Sequence, residues 1–134
     1  MEKLQIHTGQ ICLEIVDDHG ETRGVFKFNP DDTAVAKRVF ALQQSMEDKF
    51  VEYEEKCKKS SGAEDNLELL DDIIQYVKGV IDEIFGAGSS QLLFGDANTL
   101  SMFEDFFVGI TPYFKSASEA RVKKYSKKNG KTKK

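Results

Sequence analysis

The stretch Gly24-Val25-Phe26-Lys27-Phe28-Asn29-Pro30-Asp31-Asp32 joins a strand to a helix and decides the fold. Phe26 and Phe28 stand two residues apart, so an extended chain points both to one face. Asn29 then offers a side-chain cap, and Pro30 falls where its missing N–H costs nothing. Asp31 and Asp32 favour the positive end of a helix dipole. The stretch therefore predicts a strand ending at Phe28 and a helix opening directly after it.

Upstream, Asp17-Asp18-His19-Gly20 has turn composition, with Gly20 suited to the positive φ of a hairpin loop. Before it, Ile11, Leu13 and Ile15 alternate with polar residues, and Leu4, Ile6 and Thr8 do so on the opposite parity. Both runs read as strands, with Gly9 marking a bulge or break between them. Downstream, Val35, Val39, Leu42, Met46, Phe50, Tyr53 and Cys57 recur at helical spacing and fade at Lys58-Lys59-Ser60-Ser61-Gly62. A second helix is expected from near Asn66, carried by Leu67, Leu70, Ile74, Val77, Ile81 and Ile84 and ended by Gly86 and Gly88. Ser89 to Ala97 reads as a loop. A third helix is expected from Asp96 or Asn98, with Leu100, Phe103, Phe107, Ile110 and Phe114 on one face and Pro112 bending or stopping it. The fold class is α+β: an N-terminal antiparallel hairpin or small sheet packed on three helices.

A chain of 134 residues fits one such domain. Residues 1–116 are assigned to it, and 117–134 to a basic, mostly disordered tail, a frayed helix or unstructured, with too few apolar groups to offset its ordering entropy. The net charge of −4 conceals an asymmetry. From Lys115 onward nine bases face one acid, whereas residues 1–114 carry ten bases and 22 acids. An acidic body thus bears a basic end. Cys12 and Cys57 form no disulfide framework, the first residues lack a signal-peptide hydrophobic region, and no apolar run is long enough for a membrane span. These features predict a soluble cytoplasmic protein.

Catalytic equipment is hard to find. His7 and His19 are the only histidines, and no His, Cys and Asp group has metal-ligand spacing. Asp17-Asp18 and Asp31-Asp32 are explained by turn formation and capping. Gly86-Ala87-Gly88-Ser89-Ser90 follows no strand and precedes no Lys-Ser or Lys-Thr, so it fails as a phosphate loop. No enzyme, no cofactor and no metal are expected. The most informative feature is aromatic. Ten Phe and four Tyr without Trp crowd a small protein, and Phe106, Tyr113 and Met102 widen the stripe of the third helix beyond one face. The excess suggests a surface for another polypeptide.

The run Ile81-Asp82-Glu83-Ile84-Phe85-Gly86-Ala87-Gly88-Ser89-Ser90-Gln91-Leu92-Leu93-Phe94-Gly95-Asp96-Ala97-Asn98-Thr99-Leu100 resembles tail assembly chaperones of siphophages and prophages of Gram-positive bacteria. Met102-Phe103-Glu104-Asp105-Phe106-Phe107, Ile110-Thr111-Pro112-Tyr113 and the Lys-rich end are similar too. That resemblance implies a non-enzymatic assembly factor of the host bacterial cytoplasm, absent from the mature virion. It implies binding to the tape measure protein, recruitment of tail tube protein, and self-association into a homo-oligomer. Candidate protein-binding residues are Leu92, Leu93, Phe94, Phe103, Phe106, Phe107 and Tyr113, and Phe106→Asp is expected to abolish client binding in a folded chain. The alternative is a nucleic-acid-associated adaptor working through the Lys-rich end. The acidic body and the single tail aromatic, Tyr125, argue against it.

Overall fold

A computed structural model describes the backbone of residues 1–59 and 62–132, with side chains for residues 1–59 and 62–126. β1 (Ile11–Val16) and β2 (Thr22–Phe28) form a two-stranded antiparallel sheet. Four helices follow: α1 (Thr33–Lys59), α2 (Ala63–Phe85), α3 (Ser89–Phe94) and α4 (Leu100–Thr132). The α+β class read from the sequence is the architecture observed.

The hairpin is closed by Asp17. Its Oδ1 accepts the N–H groups of His19 and Glu21, both at 2.9 Å. Those two bonds favour the charged carboxylate and hold Asp17 below its ordinary pKa. Leu13 stands opposite Phe26 and Ile11 opposite Phe28. Near the turn Ile15 pairs with Gly24 and Val16 with Thr22, so β2 carries one extra residue, a bulge at Arg23. Gly24 suits the bulge because its φ is +154°, a conformation that side chains rarely adopt; a Cβ there would also press on the tip of the Leu92 side chain of α3.

The junction after β2 departs from expectation in two respects: the helix begins at Thr33, so Pro30 lies in the turn before it, and the cap is another residue. Asp32, not Asn29, caps the helix, its Oδ1 accepting from Ala34 (2.9 Å) and Val35 (3.3 Å). Asn29 is already engaged in a turn, with its Oδ1 accepting the Asp31 N–H at 2.9 Å.

Three further differences have identifiable causes. Residues 1–10 form no strand and are exposed: Thr8 and Gly9 sit against Asn29 and Asp31 instead of running along β1. Residues 89–94 form a short helix rather than a loop. Asp82 of α2 anchors its start, accepting the Ser90 N–H at 2.7 Å and its hydroxyl at 3.1 Å. Pro112 does not stop α4. Val108, whose carbonyl loses a partner to Pro112, lies on the exposed side, where water can serve. Residues 117–126, expected to be a frayed helix or disordered, continue α4, and Arg121 grips Asp31 at 2.7 Å. The side chains of the remaining expected tail, 127–134, and residues 133–134 altogether, lie outside the described residues.

Aromatic rings fill the core. Phe26 and Phe28 stack at 5.3 Å on the inner face of β2. Phe26 meets Phe85 of α2 at 5.1 Å and Phe106 of α4 at 6.0 Å, edge to face. Phe94 of α3 meets Phe103 at 5.1 Å, and Phe28 meets Phe114 at 5.8 Å. One strand thus gathers three helices, with Val39, Leu42, Ile74, Val77 and Ile81 packed behind it.

Candidate functional site

The seven residues singled out by sequence do not form an outer surface. Phe94, Phe103, Phe106 and Phe107 are buried, Leu92 and Leu93 are half-buried, and Tyr113 alone is substantially exposed. Phe106 faces Phe26, Phe85 and Phe94. A carboxylate at position 106 would be enclosed by rings, so Phe106→Asp is expected to unfold the protein. The excess width of the α4 stripe is consumed within one copy, by β2 and α3 packing on a second side of the helix.

Apolar surface remains elsewhere, between α1 and α4. The two helices run antiparallel, as successive contacts show: Phe40 meets Phe114 at 6.4 Å, and one helical turn on, Gln43 Nε2 donates to Thr111 Oγ1 at 3.3 Å. Beyond Gln43 the helices part. An open groove of about 780 Å³ begins there, with Met46, Phe50 and Val51 on one wall and Leu100 and Val108 on the other. Ile73 of α2 and Phe107 form its floor. Phe50 is 38% exposed, Val51 55% and Val108 68%. Glu47 and Glu104 stand on the lining as its acidic groups. At 1.5 Å per residue, the eight steps from 43 to 51 and from 100 to 108 give walls of roughly 12 Å, about two helical turns. Such a groove presents spaced apolar sockets and carboxylates, the complement of an amphipathic helix with basic flanks.

Reading the sequence could not isolate this groove. Phe50 belongs to the helical stripe of α1 and reads as core; only the separation of α4 from α1 leaves it open. Val108 lies opposite the α4 stripe and carries no periodic signal. Phe107 is the one sequence-derived candidate that lines the groove.

Among the described residues no cluster of His, Cys, Asp or Glu could hold a metal ion, and no helix is long and apolar enough to cross a membrane. Cys12 is exposed on β1, and both cysteines are free thiols.

A model for a family of unknown function, DUF6673, matches residues 23–134. The chain belongs to this family. The DUF6673 match takes in β2 from Arg23 onward and all four helices, hence both walls and the floor of the groove. β1 and the residues before it precede the matched span. No curated protein and no solved structure matches the chain.

Proposed function

We propose that the protein is a non-enzymatic assembly chaperone that shields an amphipathic helical client in the α1–α4 groove. The observation that carries this reading is the set Phe50, Val51 and Val108, left open over the apolar floor of Ile73 and Phe107. A solvent-facing groove of this kind on an otherwise acidic body can cover an apolar helix while remaining in solution. The resemblance of residues 81–113 to tail assembly chaperones supports a specific client, the tape measure protein of a siphophage or prophage, with tail tube subunits recruited around it in the host bacterial cytoplasm.

Co-expression with a helical tape measure segment tests this. Val51→Asp combined with Val108→Asp changes exposed positions, so helical content should persist while the client falls from the soluble fraction. A double variant that keeps its client soluble overturns the groove assignment. Exposed Lys115, Lys123 and Lys124 on α4 favour a second reading, an adaptor that meets nucleic acid through its basic helix. Titration into duplex DNA at two salt concentrations separates the two: salt-sensitive binding that is lost on removing residues 117–134 selects the adaptor.

A further inference from the structure

The sheet is incomplete on one side, and the chain carries a segment that fits it. β1 pairs with β2 along one edge only, and among the described residues no other strand lies along its opposite edge. Beside β1 the layers part: a cleft of about 560 Å³ separates Leu13 and Ile15 from Met102, Ile110 and Tyr113 on α4. Leu13 and Ile15 face inward yet remain half-exposed. An edge strand with open backbone groups and an uncovered apolar flank is a template for an added strand.

Residues 1–10 supply the pattern. Leu4, Ile6 and Thr8 alternate with polar residues, and Leu4 and Ile6 are 86% and 72% exposed. An antiparallel register that sets Thr8 beside Ile11 also sets Ile6 beside Leu13 and Leu4 beside Ile15. All six side chains then share the inward face. The same register brings Lys3 beside Val16, next to Asp17 and Asp18.

The segment does not take this place in its own copy. The Thr8 carbonyl accepts from Asn29 Nδ2 at 2.7 Å. Gly9, at φ +95°, lies so close to the following turn that a Cβ would sit 2.8 Å from the Asp31 Cβ. Both contacts hold the chain at the β2–α1 junction, across the sheet from the open edge of β1. We propose that residues 3–8 of one copy add as an antiparallel third strand to the open edge of β1 in a second copy. This inference stands apart from the groove, which it leaves free for a client.

The register places His7 beside Cys12, which makes the proposal testable by disulfide trapping. One chain carries His7→Cys, Cys12→Ser and Cys57→Ser; a second carries only Cys57→Ser. Oxidising the mixture should give a heterodimer on a non-reducing gel, several-fold more than when Gln5→Cys, whose neighbour in register is Glu14, replaces His7→Cys. A yield equal to that control overturns the proposal. So does a single chain bearing both His7→Cys and Cys12 that closes its bridge internally in preference to a dimer, because the segment then folds back on its own β1. In sedimentation, Leu4→Asp with Ile6→Asp should raise the concentration at which copies associate by about tenfold or more. Association unchanged by that pair also overturns it.

Discussion

Phe103 is fully buried, in ring contact with Phe94, and truncation there removes an aromatic ring from a packed interior. Phe103→Ala is expected to destabilise the fold by about 3–5 kcal/mol, read from the urea midpoint. Asp17 makes the opposite kind of contribution, at the surface. Its carboxylate is held below the usual range by the N–H groups of Glu21 and His19, so the folded chain binds this proton less readily than the unfolded chain. The turn's contribution is therefore present above the unfolded value and is lost as pH falls through the lower folded value. In an NMR titration the Asp17 carboxyl and the amides of His19 and Glu21 should move together on that acid limb, and Asp17→Ala should abolish the coupled transition. The turn was legible from Asp17-Asp18-His19-Gly20 because its chemistry is local. The need for Gly24 was not, since it arises from the positive φ that the bulge in β2 imposes, and a bulge is set by how the two strands pair.

Among elements, α4 is the least conventional, a helix that carries Pro112 in its interior. It survives because the apolar side chains on either side of the break are buried: Ile110 before it, and Phe114 after it against Phe28 and Phe40. Pro112→Ala restores an N–H for the Val108 carbonyl and is expected to stabilise the protein by about 1–3 kcal/mol, measured by thermal or denaturant unfolding. The apolar stripes announced α1 and α2 because each is long and regular. α3 went unread as a helix: six residues are too few to show a period, and its start is fixed by Asp82 from the preceding helix. The alternation at Leu4, Ile6 and Thr8 was legible as a strand pattern, but a strand exists only where another strand receives it.

At the scale of the molecule, the second half of α4 hangs on little. Past Phe114 its described side chains are mostly exposed, and the Arg121–Asp31 pair ties it to the body. Backbone amides of residues 116–126 should accordingly exchange with solvent faster than those of 103–114, in a hydrogen-exchange experiment on the full chain. The candidate groove was invisible in the sequence for a related reason: it is made by a gap between two helices that are distant in the chain, and a gap leaves no mark on either helix's periodicity. The turn Asn29-Pro30-Asp31 has a further role by virtue of its position. It clasps the opening segment through Thr8 and Gly9 and the closing helix through Arg121, so both flanks of the polypeptide are latched to one corner. Asn29→Ala removes the latch on Thr8 and loosens the turn that aims Asp31. A protease should then nibble the chain from both flanks together, whereas Arg121→Ala should bare only one.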